Sequence, residues 1–168
     1  GYALTTLHRP ANVDDLEVLK GLVETLAAIG RDLPVVFPVH PRTGQRIREA
    51  GLEGRLQESR ILSLPPLGYM EMLGLMADAR LVLTDSGGIQ EETTVLGAPC
   101  LTLRDNTERP ITVEQGTNTV VGRDPERILT AAREILASGG KRGRTPELWD
   151  GSASERIARS LSDWLRGD

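Results

Sequence analysis

Hydrophobic residues follow two different spacings along the chain. Continuous apolar runs are typical of buried strands, and apolar residues repeated every three or four positions are typical of amphipathic helices. The apolar runs predict strands over residues 2–7, 34–39, 60–64, 81–84, 99–103 and 118–121. The helical spacing predicts a helix between each pair of consecutive strands and two more helices after the last strand.

Capping residues set the expected ends of these helices. Asp14 and Glu17 resemble a capping box at the start of the first helix, which Gly30 is expected to end. Further helices are predicted over residues 43–50, 68–77, 87–96, 110–115 and from the cap at 124 to the glycine at 139. The last helix, 152–165, begins with a second capping box and has one apolar face, formed by Ile157, Leu161, Trp164 and Leu165.

This alternation of strands and helices predicts the fold class. It favours a mostly parallel sheet with helices on both faces, a Rossmann-like three-layer α/β domain. The 168 residues are enough for one such domain with a full core. The chain lacks an initial Met and begins in strand-like sequence. We therefore expect residues 1–168 to be one domain from which a preceding domain is missing.

Parallel α/β sheets bind ligands at the carboxyl ends of their strands. His8 and Arg9 follow the first predicted strand, and His40 follows the second. The segment 85–88 follows the fourth strand, and Arg109 lies in the loop after the fifth. The topology should therefore bring these residues to one rim of the sheet.

The segment from Thr84 to Glu92 predicts an anion site at that rim. It passes from a strand through Ser86, Gly87 and Gly88 into a helix. The first amides of a helix have no intrahelical partner, and the helix dipole is positive there. A carboxylate about one turn further on could accept hydrogen bonds from sugar hydroxyls. A nucleotide or a sugar phosphate fits this pattern.

Simpler interpretations of the same motif remain open. Ser86 could be only an N-cap, the two glycines only a turn, and Glu91 and Glu92 only a complement to the helix dipole. The sequence Asp-Ser-Gly-Gly also surrounds the nucleophile of chymotrypsin-like proteases. That fold is all-β and usually disulfide-bonded, whereas this chain has one cysteine and alternating strands and helices.

Composition excludes several classes of partner. The formal net charge is −4 and the isoelectric point is about 5.3, so nothing favours binding to nucleic acid or to an anionic membrane. Cys100 is alone, which excludes an intrachain disulfide. No apolar run reaches the roughly 20 residues of a membrane span and no signal peptide is visible, so a cytoplasmic location is expected.

Several cofactor motifs are missing. No Gly-x-Gly-x-x-Gly follows the first strand, and the chain has no Gly-Lys-Ser/Thr, which argues against a dinucleotide cofactor and a P-loop. His8 and His40 lack Cys, Asp or Glu partners at metal-ligand spacing, so a zinc site has only weak support.

Taken together, these segments resemble the non-hydrolysing UDP-N-acetylglucosamine 2-epimerases, specifically the C-terminal domain of that family. The matching blocks span nearly the whole chain and lie at residues 6–12, 38–41, 66–69, 84–92 and 104–110. The resemblance implies the C-terminal half of a glycosyltransferase-B-type fold and, in the full-length protein, an isomerase that is usually a homodimer. The implied reaction interconverts UDP-GlcNAc and UDP-ManNAc, a precursor of surface polysaccharides, by UDP elimination and re-addition through a glycal, without a cofactor.

The resemblance also implies roles for individual residues. His8 would be catalytic and assist departure of the leaving group. Ser86, Gly87 and Gly88 would hold the β-phosphate.

The same comparison gives the remaining members of the expected site. Glu92 would bind the ribose hydroxyls, and Arg109 would neutralise phosphate charge. Arg9 and His40 resemble positions at which some bacterial members bind a second UDP-GlcNAc as an activator. This chain has Ala11 where many members have an acid, and Met72 where some have an aromatic residue against uracil.

The resemblance also implies that the carboxylates that handle the carbon-2 proton lie in the N-terminal domain. The isolated chain is therefore expected to bind UDP weakly and to lack epimerase activity. Three alternatives share these features: a hydrolysing UDP-GlcNAc 2-epimerase, a glycosyltransferase-B donor-binding domain and a non-catalytic sugar-nucleotide sensor. The helix at 152–166 could cross to the missing domain.

Overall fold

Six short strands pair side by side in one sheet, and every pairing is parallel. The structure, a computed structural model, describes residues 1–167. The strands are β1 Ala3–Thr6, β2 Val35–Pro38, β3 Ile61–Leu64, β4 Leu81–Thr84, β5 Cys100–Thr102 and β6 Asn118–Val120. Their order across the sheet, β3-β2-β1-β4-β5-β6, is that of a Rossmann-type domain. The predicted parallel three-layer fold is confirmed.

Helices connect the strands and cover the sheet. They are α1 Pro10–Val13, α2 Leu16–Asp32, α3 Pro41–Glu49, α4 Glu53–Glu58, α5 Tyr69–Ala77, α6 Gly87–Leu96, α7 Pro110–Glu114, α8 Pro125–Ser138 and α9 Ala153–Arg166. The hydrophobic pattern did not predict the short helices α1 and α4. Within residues 1–167, no helix combines the length and the apolar character that crossing a membrane would require.

The two faces of the sheet bury two separate cores, because successive strand residues point to opposite sides. In β4, Leu81 and Leu83 join the larger core with helices α2 and α8, whereas Val82 joins the smaller core. In β1, Ala3 and Leu4 divide in the same way. The central strands β1, β4 and β5 are almost wholly buried, whereas the edge strands β3 and β6 have exposed residues. The central strands are therefore accessible only at their ends, at the rim of the sheet.

Helix α2 differs from its prediction at both ends. Asp15, not Asp14, is the N-cap, and its carboxylate accepts hydrogen bonds from the amides of Glu17 and Val18. Asp14 instead pairs with Arg42 and Arg46 of α3. At the other end, Gly30 continues the helix rather than ending it.

Gly30 lies inside α2 where the helix packs against the chain before β3. A Cβ at Gly30 would lie 3.6 Å from the backbone nitrogen of Arg60, which is an ordinary van der Waals distance. The glycine in the sequence therefore does not mark the end of this helix.

Helix α9 also departs from expectation. Ser152 stands at its N-cap position, but its side chain makes no capping bond, so the predicted capping box is wrong. The Ser152 amide donates instead to Asp150. The helix buries none of its residues, and its apolar face is more than half exposed at Ile157, Leu161, Trp164 and Leu165.

Two glycine substitutions test how tightly the sheet edge is packed. A Cβ at Gly116 would lie 2.3 Å from Thr94 Oγ1 and 2.6 Å from the carbonyl oxygen of Thr112. We expect Gly116→Ala to lower the free energy of unfolding by about 2 kcal/mol, because the backbone oxygen can move only with α7. The measurement is urea unfolding followed by circular dichroism.

Gly21→Ala is the matched control, since its new methyl group would meet nothing within 4 Å in the middle of α2. It should raise stability by about 0.5–1 kcal/mol. Equal effects of the two substitutions would contradict the packing described at Gly116.

Candidate functional site

A buried carboxylate connects the two strands at the point where the strand order reverses. Strand β1 leads on to β2 and strand β4 to β5, so the loops after β1 and β4 enclose a crevice. Asp85 follows β4 and is fully buried. Its carboxylate accepts hydrogen bonds from the backbone amides of His8 at 3.0 Å and Arg9 at 2.9 Å, and from Nδ2 of Asn12 at 3.1 Å.

The same carboxylate orients the imidazole of His8. The Nδ1 atom of His8 lies 2.8 Å from Asp85 Oδ1. This contact directs the other ring nitrogen, Nε2, away from Asp85. Burial raises the pKa of Asp85, but the hydrogen bonds from His8 and Arg9 outweigh burial and hold that pKa below the usual aspartate value. Asp85 is therefore a charged, fixed partner at neutral pH.

His8 and His40 face one cavity of about 280 Å³, and Ser86 lines it with them. The two imidazole centroids are 6.1 Å apart. His40 caps α3, where its Nδ1 accepts the amide of Arg42 at 3.3 Å. Each ring is thus held through Nδ1. The cavity is completed by Thr6, Leu7, Pro38, Pro66, Leu67, Met72 and Ile89.

Helix α6 begins at the edge of this cavity. Ser86 occupies its N-cap position, but within the described residues its side chain caps no amide. The Ser86 hydroxyl and the positive end of the helix are therefore available to an anion. A Cβ at Gly88 would meet only Ser86 Oγ, at 4.0 Å, so nothing blocks approach on that side.

Glu108 lies against Gly87 and holds two cations. Its Oε1 would be 2.7 Å from a Cβ at Gly87, and the same oxygen accepts Arg9 Nη2 at 2.9 Å. Arg104 Nη1 donates to the other oxygen at 2.6 Å. Only a glycine at position 87 lets this carboxylate come so close to the start of α6.

Gln90 anchors the loop that carries Arg109. This fully buried side chain donates to the carbonyl oxygen of Ser86, and its Oε1 accepts Thr107 Oγ1 and Asn118 Nδ2. Thr107 Oγ1 in turn accepts the Arg109 amide at 2.9 Å. The guanidinium of Arg109 then lies 3.3 Å from Glu91 and beside Gly87.

Glu92 lines a second cavity, of about 380 Å³, that His8 and Ser86 do not line. Its walls are Tyr69, Leu73, Glu91, Val95, Leu96 and Trp149. Burial, and to a lesser extent the charge of Glu91, raises the pKa of Glu92 despite a hydrogen bond from Tyr69. The side chain of Glu92 is placed to accept hydrogen bonds from hydroxyl groups of a ligand in this cavity.

The structure does not bring all of the predicted site residues into one cavity. His8, His40 and Ser86 share one cavity, and Glu92 lines the second. Arg9 lines a third, of about 360 Å³, with Arg104 and Arg123.

Sequence reasoning assigned no role to Asp85, Gln90 or Glu108.

Among residues 1–167, no three His, Cys, Asp or Glu side chains cluster as a metal site would require. Cys100 is fully buried, and burial raises the pKa of its thiol to about 12, so it offers no nucleophile.

Replacement of Asp85 should lower the free energy of unfolding and make it depend less on pH. The amide group introduced by Asp85→Asn would face donors, so we expect a loss of about 3 kcal/mol in the free energy of unfolding at pH 7. The pKa of Asp85 is lower in the folded chain than in the unfolded chain, so its carboxylate stabilises the fold at any pH above the unfolded pKa. This stabilisation is lost as the pH falls through the folded pKa. This acid-side loss should shrink in the variant.

Asp105→Asn is the control, because that carboxylate is 68% exposed and, within residues 1–167, pairs only with Arg123. Urea unfolding of both variants from pH 7 down to pH 3 measures the difference. Equal losses at pH 7 would show that the Asp85 contacts do not hold the rim together.

Comparison with known proteins agrees with this architecture. Residues 1–162 match the model of the family described as UDP-N-acetylglucosamine 2-epimerase. The chain is 44% identical over 164 residues to the UDP-N-acetylglucosamine 2-epimerase of Methanocaldococcus jannaschii, an alignment of 96% of this chain and 44% of that protein. It is 42% identical over 168 residues to the UDP-2,3-diacetamido-2,3-dideoxy-D-glucuronate 2-epimerase of Pseudomonas aeruginosa, with the same coverage.

A solved structure gives the same result. The M. jannaschii UDP-GlcNAc 2-epimerase, crystallised with UDP-GlcNAc and UDP, superposes with a TM-score of 0.86 over 96% of this chain and 45% of that one. The chain spans less than half the length of these relatives. On this match, together with the Rossmann-type strand order, the chain belongs to the UDP-N-acetylglucosamine 2-epimerase family.

Proposed function

We propose that this chain is the UDP-binding half of an enzyme that interconverts UDP-GlcNAc and UDP-ManNAc. The observation that carries the proposal is the shared cavity of His8 and Ser86, at the start of α6 and at the strand-order switch. A solved relative crystallised with UDP-GlcNAc and UDP supports the choice of ligand.

The diphosphate would bind at the beginning of α6. Ser86, Gly87 and Gly88 would supply a hydroxyl and free amides to the β-phosphate, and Arg109 would balance its charge from beside Gly87. From there the ribose would reach Glu92, whose carboxylate lines the adjoining cavity.

The proposed reaction breaks and re-forms the bond between carbon 1 and the UDP oxygen. A base removes the carbon-2 proton, the carbon–oxygen electron pair leaves with UDP, and a glycal remains. Reversal with proton return to the opposite face inverts carbon 2. This scheme requires no cofactor.

The described residues contribute mainly to the leaving group. In this proposal the amides at the start of α6 and the guanidinium of Arg109 would stabilise the negative charge that develops on the departing diphosphate. His8, held through Nδ1 by Asp85, presents Nε2 as the proton donor or acceptor next to the departing oxygen.

The carbon-2 base and the rest of the sugar site would come from an N-terminal domain. Helix α9 has a large exposed apolar face, and we propose that it crosses to pack against that domain. The full-length enzyme would act as a homodimer. Arg9 and His40 would contact either the substrate or a second UDP-GlcNAc.

Calorimetric titration of UDP into the chain tests the nucleotide site. UDP should bind, and Glu92→Ala should weaken binding about tenfold because a charged acceptor of ribose hydroxyls is lost. Glu126→Ala, an exposed carboxylate in the first turn of α8, is the control and should leave affinity unchanged. Failure of the parent chain to bind UDP would overturn the proposal.

Product analysis tests the division of labour between the domains. Incubated with UDP-GlcNAc, the chain alone should form no UDP-ManNAc and release no free ManNAc. The full-length protein should form UDP-ManNAc, and His8→Ala should abolish this turnover. ManNAc with free UDP as the product would instead indicate the hydrolysing reaction.

A further inference from the structure

Trp149 lines the same cavity as Glu92, although 57 positions separate them in the sequence. One wall of this cavity carries two carboxylates, Glu91 and Glu92. The other walls are apolar or aromatic and consist of Tyr69, Leu73, Val95, Leu96 and the indole of Trp149. The indole is half-buried and therefore still accessible to a ligand.

The loop that presents Trp149 is held in a strained conformation. Leu148 has a φ of +69°, which no other non-glycine residue in the described part of the chain shares in sign. A non-glycine residue in this region carries a conformational cost. The Leu148 side chain is 61% exposed, so burial of leucine does not offset that cost.

Hydrogen bonds from Arg156 of helix α9 hold this loop in place. Arg156 Nη2 donates to the carbonyl oxygen of Leu148 at 2.8 Å, and Nη1 of the same residue contacts both oxygens of Asp150 at 2.8 and 2.9 Å. Residues on both sides of Trp149 are therefore tied to one guanidinium. These contacts hold the indole of Trp149 in the position from which it lines the cavity, and a strained residue held in this way supports a hypothesis of function for the loop.

The chemistry of the cavity selects one part of a nucleotide. Glu91 is paired with Arg109, but the second carboxylate, Glu92, would repel a phosphate, so this cavity favours the nucleoside end of a nucleotide over its diphosphate end. Carboxylates accept hydrogen bonds from hydroxyl groups, and an indole packs against a flat ring or the apolar face of a sugar. A nucleoside, with ribose hydroxyls and a planar base, offers both.

We propose that Trp149 is a nucleoside-binding residue of this site. Its indole packs against the ribose and base of the ligand, and Glu92 accepts hydrogen bonds from the ribose hydroxyls of the same ligand. This inference rests on the proposed function, which places the diphosphate at the start of α6. It assigns to the loop before α9 a part in nucleotide recognition.

Intrinsic fluorescence can isolate this contact, because the chain has two tryptophans, Trp149 and Trp164. In Trp164→Phe the signal comes from Trp149 alone, and UDP should change it saturably at the concentration at which calorimetry shows binding. Pyrophosphate, which has no nucleoside, should leave it unchanged. In Trp149→Phe the remaining indole, exposed on α9, should not respond to UDP.

Affinity supplies the second measurement. Trp149→Ala should weaken UDP binding about tenfold, the usual cost of losing one aromatic–base contact. Trp149→Phe, which keeps an aromatic ring, should lose less than about threefold. Pyrophosphate should bind the parent and both variants equally, which separates loss of the contact from loss of the fold.

The outcomes distinguish the two proposals. If calorimetry shows UDP binding but Trp149 fluorescence is silent and Trp149→Ala binds as well as the parent, this inference is overturned and the proposed function stands. If UDP does not bind the parent chain at all, both are overturned.

Discussion

The geometry of the rim depends on the hydrogen bonds to Asp85. Strands β1 and β4 are neighbours in the sheet, but their following loops diverge because the strand order reverses there. A buried carboxylate is costly unless donors surround it. Here the backbone of His8 and Arg9, the amide of Asn12 and the His8 ring supply those donors. One charge thereby joins two loops and orients the imidazole between them.

A second buried polar group supports the other side of the rim. Gln90 connects the first turn of α6 to the 104–109 loop and to β6 through Thr107 and Asn118. Neither Asp85 nor Gln90 is expected to touch a ligand. Both act by fixing the backbone and side chains that would, so the hydrophobic cores set the fold and these polar contacts set the site.

Local signals were enough to predict the alternation of strands and helices. The bounds of α6, Gly87–Leu96, matched because a buried strand precedes it and Gly97 adopts a left-handed conformation at its end. Contacts distant in sequence were not predictable. The partners of Asp85 lie more than 70 positions away. Glu92 was placed correctly on α6, but its separation from the histidine cavity depends on how α5 packs.

The burial of Cys100 has a practical consequence for studies of this chain in solution. It is the only thiol in the sequence, lies fully buried at the start of β5, and has a pKa raised by burial to about 12. A thiol reagent can modify it only when β5 parts from its neighbours in the sheet. The rate of labelling therefore measures how often the sheet opens, and the native protein contains its own probe of that motion without any engineered residue.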